Sequence, residues 1–223
     1  MSVHRIWLFG LLAFTAMAAP PARAATPQCG SACLGVFSSE LGTYASPNFV
    51  EHVFGGVARI GTPTGLTTAS GVDSSEDFIN PHPGKVSDYY ALGLVSADVN
   101  RRYGTLTASQ LEYAPLGKPT GLCVGIPADP FPGEPLSLQS CRIPGRTVWI
   151  IGTSLSPATA AAGLFPIVSG ATKDVSHPFA MTYPRHPNVN ALPPIRLRHL
   201  KFRGPDGAVP GRQLWGVKMG ALQ

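Results

Sequence analysis

The 223-residue sequence suits one domain with a sizeable core, since about 200 residues remain once an N-terminal export signal is removed. Its 25 glycines, 23 prolines and 13% charged residues, with no long stretch of helical period, exclude a helical protein and predict an all-β domain of short strands. The full sequence has 17 basic and 12 acidic residues, and removal of Arg5 and Arg23 with the signal leaves 15 and 12, a net charge of +3. This small charge, and the lack of a basic run interleaved with aromatic residues, argue against a nucleic-acid partner.

The N-terminus has the organisation of a secretory signal peptide. His4 and Arg5 precede an apolar run over residues 6–19, and a proline-rich segment then ends in Ala22-Arg23-Ala24. We expect residues 1–24 to be cleaved. The alternative is an uncleaved anchor, but the apolar run is shorter than the roughly 20 residues that span a bilayer. The sequence therefore predicts a secreted, extracellular protein with no stable membrane insertion after cleavage.

Three stretches of the chain share one pattern, in which a short run of alternating apolar residues is followed by a turn-rich loop and an aromatic residue. The aromatic residues are Phe78, Trp149 and Trp215. The recurrence predicts a threefold internal repeat within one domain. We place the domain at 25–223 and the repeats at approximately 34–80, 100–151 and 177–220.

Two short insertions are expected between the repeats. Residues 86–94 predict one or two turns of helix, capped by Ser87 and ended by Gly93, and packed on the outside of the domain. The Ala-, Pro- and Gly-rich segment 154–169 is the second predicted insertion. Neither segment has the features of a linker between domains.

The four cysteines are expected to form two disulfides in an exported protein, although four cysteines allow three connectivities. We favour Cys123 with Cys141, which would join two neighbouring strands, and Cys29 with Cys33, which would close a tight N-terminal loop. Metal binding is the alternative. Cys29 and Cys33 have no nearby Cys or His at zinc-site spacing, so no metal site is predicted.

The second repeat contains a more specific motif. Gly121-Leu122-Cys123-Val124 is followed by Leu136-Ser137-Leu138-Gln139-Ser140-Cys141 and then by Thr147-Val148-Trp149. This motif resembles one repeat of the ricin-B-type β-trefoil lectins, whose repeats pair two strand cysteines and end in Gln-x-Trp. The third repeat has that ending as Gln213-Leu214-Trp215, and the first has only its outline in Glu76 and Phe78.

The resemblance implies a β-trefoil-like domain, in which three strand units close a barrel around a pseudo-threefold axis. Phe78, Trp149 and Trp215 are then core residues. In these lectins an Asp two residues after the first strand cysteine binds sugar hydroxyls, but Gly125 stands there in the second repeat. Gln139 falls at the aromatic platform and Arg146 at the Asn beside the signature. The resemblance therefore implies no ordinary galactose pocket in this repeat.

The third repeat carries the predicted ligand site. Aligned with the lectins, it places Thr182 at the Asp position, Arg196 and Arg198 on the second strand, and Arg212 at the Asn position. From Leu192 to the end the chain has six basic residues and one acidic residue. Arginine side chains bind carboxylate, sulfate or phosphate through two parallel hydrogen bonds, so we expect recognition of an anion. The alternative is an ordinary solvated strand face.

Catalytic motifs are weak in this sequence. No Gly-x-Ser-x-Gly motif occurs, and the histidines outside the signal lack metal-site spacing: His52, His82, His177, His186 and His199. Glu76 with Asp77, or Asp129 with Glu134, could form the carboxylate pair of a glycoside hydrolase, but solvated turn acids are the simpler interpretation. We expect no enzyme and no cofactor.

The sequence therefore predicts a secreted, monomeric, non-enzymatic protein that binds a glycan or another extracellular surface, with the third repeat facing an acidic partner. β-Trefoils also include protein-binding modules and protease inhibitors, which use exposed loops. The proline-rich loop 127–132 would suit that alternative, because its prolines lower the entropy cost of ordering on binding. Glycoside hydrolysis is a minor alternative.

Overall fold

The computed structural model describes residues 33–40, 49–70, 73–184, 193–203 and 207–219. The predicted signal peptide over 1–24 and its cleavage point lie outside these residues, as do Cys29 and His186. The described residues form 15 short strands and three short helices. The strands are β1 (Leu34–Ser38), β2 (Phe49–Val53), β3 (Thr64–Thr68), β4 (Phe78–Ile79), β5 (Gly84–Lys85), β6 (Thr107–Ser109), β7 (Glu112–Tyr113), β8 (Leu122–Gly125), β9 (Ser137–Ser140), β10 (Trp149–Ile151), β11 (Leu164–Phe165), β12 (Ile167–Ser169), β13 (Phe179–Thr182), β14 (Arg196–His199) and β15 (Trp215–Met219).

The helices are α1 (Val86–Ala91), α2 (Ala97–Tyr103) and α3 (Pro157–Ala160). Single 3-10 turns lie at Phe54–Gly56, Ser74–Glu76, Pro115–Gly117 and Gly211–Gln213. The last strand of each repeat begins one or two residues after such a turn or bend. The predominance of strands with little helix agrees with the all-β prediction.

Eight short strands close a barrel with six strand positions, because β6 and β7 occupy one position in succession and β11 and β12 occupy another. β1 pairs with β15, β15 with β11, β12 with β10, β10 with β6, and β7 with β4. A bridge between Cys33 and Ile79 joins β4 back to the start of β1 and completes the ring. Closure of this kind leaves no exposed sheet edge in the barrel.

Three hairpins cover one end of the barrel. They are β2 with β3, β8 with β9, and β13 with β14. Isolated bridges between Pro63 and Ser137, Gly65 and Pro194, and Pro135 and Arg196 join the three hairpins into a triangle. A six-stranded barrel capped by three hairpins around a pseudo-threefold axis is a β-trefoil, as the sequence predicted.

The repeated aromatic residues fill the barrel. Phe78, Trp149 and Trp215 are all buried in one hydrophobic cluster. The indole nitrogen of Trp149 donates to the Val124 carbonyl at 3.0 Å, and that of Trp215 donates to the Met181 carbonyl at 2.9 Å. Phe78 has no N–H group, so the first repeat has no equivalent bond.

The polar residue two positions before each aromatic residue also has a repeated role. The backbone N–H of Lys201 donates to Gln213 Oε1 at 2.9 Å, and that of Ser70 donates to Glu76 Oε1 at 3.2 Å. In the second repeat the same position is Thr147, whose hydroxyl accepts from Gln110 Nε2 at 2.9 Å and donates at 3.3 Å to the carbonyl of Cys141, directly after β9. Each repeat therefore ties its last strand to the end of the preceding hairpin or loop.

The disulfide between Cys123 and Cys141 is present and joins β8 to the end of β9, with the two Cα atoms 4.9 Å apart. It closes a loop of 18 residues, which contributes about 3 kcal/mol in the chain-entropy account. Cys33 is buried at the start of the first repeat. Its predicted partner Cys29 lies outside the described residues, so that pairing stays a prediction.

The insertion between the first two repeats contains two helices, whereas we predicted one or two turns. Lys85, rather than Ser87, precedes α1, and its backbone N–H donates to the Asp88 carboxylate at 2.7 Å. The buried residues of α1 and α2 form a second hydrophobic cluster against the outer face of the barrel. This cluster includes Val86, Tyr89, Val99, Tyr103, Val148, Ile150 and Val168.

The third repeat begins earlier in the chain than the predicted position 177. β11 and β12 lie within the segment 154–169, which we had interpreted as an insertion, and they pair with β15 and β10 as barrel strands. The strands are short because Pro166 separates them. Only the part of the segment around α3 lies outside the barrel strands.

Candidate functional site

The hairpin of β13 and β14 carries the predicted site. Thr182 lies opposite Arg196 and Ala180 lies opposite Arg198 in the strand pairing. Leu197, between the two arginines, is buried in the barrel core. Because side chains alternate along a strand, Arg196 and Arg198 share the face that points away from the core. Arg198 is exposed and Arg196 is half-buried.

Thr182 lies beneath this surface and does not offer a free hydroxyl. Its side chain is buried, and its hydroxyl donates to the Ala180 carbonyl at 3.1 Å. The same oxygen accepts from Gln213 Nε2 at 3.0 Å, and Gln213 also donates to the His199 carbonyl at 2.9 Å. Thr182 therefore anchors the end of β13 to the turn that carries Arg212.

Arg196 connects the third repeat with the second. Its Nη1 donates to the Gly133 carbonyl at 2.8 Å, and its charge acts on the neighbouring Glu134. Burial raises the pKa of Glu134, while the Arg196 charge lowers it in part. One of the five guanidinium N–H groups is thus used to hold the loop before β9.

Arg212 lies in the 3-10 turn at Gly211–Gln213 and is half-buried. Its Nε is buried and has no hydrogen-bond partner among the described residues. Its carbonyl accepts from the Tyr183 N–H at 3.2 Å, next to Thr182. The structure therefore brings Arg196 and Arg212 to neighbouring positions around Thr182, with Arg198 two residues further along the same strand face.

Two exposed histidines, His177 and His199, border this arginine surface. The His199 ring stacks on Phe179 with centroids 4.2 Å apart, and its Nδ1 lies 2.8 Å from the His177 carbonyl. His177 pairs with Asp174 at 2.9 Å. The pairing of β13 with β14 could not be seen in the sequence, which is why the two histidines gave no signal.

The second repeat has no room for the lectin carboxylate. A Cβ atom on Gly125 would lie 2.6 Å from the Arg146 carbonyl and 2.7 Å from Thr147 Cγ2, so any side chain would clash with backbone. Gln139, at the platform position, is buried and donates to Ser137 Oγ at 2.9 Å. The Arg146 Nη1 donates to the Pro127 carbonyl at 2.8 Å.

The first repeat contains a buried acid that the sequence reasoning missed. Glu51 pairs with Leu66 as Val124 pairs with Leu138 and Met181 with Leu197, so it occupies their core position. It is 1% exposed, and neither carboxylate oxygen has a hydrogen-bond partner among the described residues. Burial raises the pKa of Glu51 to about 8, and the Thr64 side chain offsets this only in part. A charged residue between Val50 and His52 in an apolar strand was the available signal.

His52 occupies the lectin Asp position in the first repeat, facing away from Glu51. Its Nε2 is buried and unpartnered within the described part of the chain. Burial lowers the pKa of His52, and the charge of Asp73 raises it in part. The ring packs against Phe54 with centroids 5.1 Å apart.

The four acids considered for glycoside cleavage are each engaged in local contacts. Glu76 accepts from the Ser70 N–H, and Asp77 Oδ2 accepts from the Leu116 N–H at 3.0 Å. Asp129 pairs with Lys173 at 2.7 Å, and the hydrogen bond with Lys173 lowers the Asp129 pKa. Glu134 is buried beside Arg196. Within the described ranges, no group of three or more His, Cys, Asp or Glu residues is arranged to hold a metal ion.

No protein-family model and no curated protein matches the sequence. The solved structures that are similar include the following two proteins. A designed threefold-symmetric protein, ThreeFoil, is 10% identical, with 82% of this chain and 96% of that chain covered and a TM-score of 0.49. A mosquitocidal holotoxin is 7% identical, with 83% of this chain and 17% of that chain covered and a TM-score of 0.51.

The likeness to the holotoxin shows the fold alone, because so low an identity carries no information about individual site residues. It agrees with the barrel and the hairpin triangle described above. Among the described residues, none of the helices has the length and apolar character needed to cross a membrane.

Proposed function

We propose that this protein is a secreted, non-enzymatic member of the ricin-B-type β-trefoil superfamily that recognises an acidic glycan through its third repeat. The observation that carries the proposal is the outward face of β14. Arg196 and Arg198 lie two residues apart on this face, beside the turn that carries Arg212. Three guanidinium groups on one hairpin and its adjoining turn fit a ligand with repeated carboxylate or sulfate groups.

The charges of these arginines are available to a ligand. Among the described residues, neither Arg198 nor Arg212 forms an ion pair, and Arg196 uses one N–H on a carbonyl. The segment from Leu192 to the end carries six basic residues against one acidic residue, while the rest of the chain after residue 24 has 9 basic and 11 acidic residues. The positive field is therefore concentrated on the third repeat and attracts anions in a salt-dependent way.

Heparin affinity chromatography tests the proposal. The wild-type protein should be retained at moderate salt, and the double variant Arg196→Ala, Arg198→Ala should elute in the flow-through. The matched control is Arg101→Ala, Arg102→Ala, which removes two exposed arginines from α2. This control should elute close to wild type. Equal retention of the wild type and the third-repeat variant would reject the proposed site.

A second function, binding of a protein partner as in a β-trefoil protease inhibitor, is favoured by one observation. Phe131, between Pro130 and Pro132 in the loop 127–132, is 51% exposed. A large apolar side chain held outward on a stiff loop is typical of a protein contact. Inhibition of a panel of proteases by the wild type, lost on Phe131→Ala, would support this function. Absence of inhibition would remove it.

A further inference from the structure

The helical insertion forms a cavity with the second and third repeats. The cavity has a volume of about 790 Å³ and lies between the α1–α2 connection, the turn before β10 and the segment after β12. The Gly145 N–H donates to the Leu94 carbonyl at 2.6 Å and holds the insertion against the turn. The volume is within the range of about 300 to 1,000 Å³ that small-molecule sites occupy.

The turn before β10, which forms one wall of the cavity, requires a glycine at position 145. Gly145 has φ of +70°, and a Cβ atom there would lie 3.0 Å from Ala171 Cα. Glycine allows both this left-handed conformation and the close approach of segment 170–173. The adjoining Arg146 is thereby placed on the cavity wall, where it lines the space together with Asp129 and Lys173.

The cavity lining includes two basic and two acidic residues, which are not all paired with one another. Lys173 pairs with Asp129 at 2.7 Å, and Asp98 pairs with Arg101 of the same helix. Arg146 has no carboxylate partner in an ion pair within the described residues, and it uses one N–H on the Pro127 carbonyl. Its remaining N–H groups can bind one carboxylate through two parallel hydrogen bonds.

The other lining groups complement a polyhydroxylated ring. Ser96 and Thr172 use their hydroxyl oxygens to accept the N–H groups of Val99 and Phe179, at 3.3 and 3.1 Å, and each retains an O–H to donate. The carboxylates of Asp98 and Asp129 accept further hydrogen bonds. Val95, Ile143 and Ala171 supply apolar surface for the C–H groups of the ring.

We propose that this cavity binds a uronate, a sugar residue with one carboxylate, with Arg146 as the residue that holds the carboxylate. The ligand class rests on the proposed function, because the acidic glycan of the third repeat could supply such a residue. Of the lectin positions named in the second repeat, Arg146 lines this cavity and Gly125 and Gln139 do not. The cavity is formed in part by the helical insertion. Of its two basic and two acidic lining residues, Asp98, Asp129 and Lys173 are already in ion pairs, so Arg146 alone is left to bind one carboxylate.

The test is titration of the full oxidised protein with sodium glucuronate, followed by saturation-transfer NMR and calorimetry, with glucose as the uncharged comparison. Wild type should bind glucuronate at least tenfold more tightly than glucose. Arg146→Ala should weaken glucuronate binding at least tenfold, and Lys173→Ala at least threefold, because it leaves Asp129 to repel the ligand. Lys118→Ala removes an exposed lysine outside the cavity and should bind as wild type does.

A glucuronate affinity that is absent, equal to that of glucose, or unchanged in Arg146→Ala and Lys173→Ala overturns the proposal. Arg146→Lys keeps the charge without the planar fork and should give an intermediate affinity, which decides the matter if the alanine variant does not fold. The third-repeat double variant separates this proposal from the proposed function. The third-repeat double variant should no longer be retained on heparin, and its glucuronate affinity should stay within twofold of wild type. The Arg146→Ala variant should still be retained on heparin.

Discussion

The first and third repeats have the same strand positions but fill them with side chains of different polarity and charge. In the third repeat the core position on β13 is Met181, and the outward face of the following strand, β14, carries Arg196 and Arg198. In the first repeat the equivalent core position is the unpartnered Glu51, and the barrel aromatic is Phe78 instead of a tryptophan. The comparison shows that the threefold backbone hydrogen bonding sets the fold, while polarity inside and charge outside vary from repeat to repeat.

The largest effect is expected at Glu51. Its folded pKa of about 8 lies above the ordinary value of 4.5, so the folded state binds more protons than the unfolded state between these pH values. Stability should therefore fall as pH rises from about 4.5 to 8 and be flat above that, with a total loss of at most about 5 kcal/mol.

Glu51→Met, which introduces the residue of the third repeat, should remove this dependence and stabilise the protein most at pH 8. Urea denaturation at pH 5 and pH 8 measures both effects. Glu51→Gln keeps the shape and also removes the charge, so it should flatten the profile with a smaller gain. An unchanged pH slope in both variants would show that another group titrates.

The next largest change in stability is expected at the three aromatic residues of the barrel. Trp149→Ala and Trp215→Ala should each cost about 4 kcal/mol, since they leave a large cavity and an unpaired carbonyl at Val124 or Met181. Phe78→Ala should cost about 3 kcal/mol, because no equivalent hydrogen bond exists there. Denaturant titration of the three variants checks the order. A larger cost at Phe78 than at either tryptophan would contradict the account.

The smallest of these changes in stability is expected for loss of the disulfide. Strand pairing places Cys123 and Cys141 where the third repeat has Ala180 and Leu200, both buried apolar residues. Cys123→Ala with Cys141→Leu should fold with the same barrel and lose about 3 kcal/mol. Its near-ultraviolet circular dichroism should match that of wild type. Failure to fold would show that the second repeat depends on the crosslink more than the third repeat implies.

The overall fold could be predicted because its signals are local and repeated. Alternating apolar residues followed by an aromatic residue recur in the sequence, and the Cys123–Cys141 motif resembles a repeat of known architecture. The start of the third repeat could not be predicted from the sequence, because β11 and β12 are only two and three residues long and are separated by Pro166. The second helix of the insertion was missed because its apolar face packs on the barrel exterior, which only the tertiary structure reveals.

The candidate site was predictable only in part. Alternation correctly indicates that Arg196 and Arg198 share a strand face, because that is a property of one strand. The burial of Thr182 depends on Gln213, 31 residues away, and the Arg196 bond to Gly133 spans 63 residues. Such contacts have no local signature. The cavity beside Arg146 is equally nonlocal, since four separate segments of the chain line it.

The most direct test of the central claim is a glycan array on the oxidised protein, with sulfated, uronic-acid and neutral glycans at two salt concentrations. We predict binding to acidic glycans alone, weakened at the higher salt, with binding to the sulfated glycans lost in the Arg196→Ala, Arg198→Ala variant. Salt-insensitive binding to neutral sugars, retained by that variant, would contradict the account and place recognition outside the third repeat.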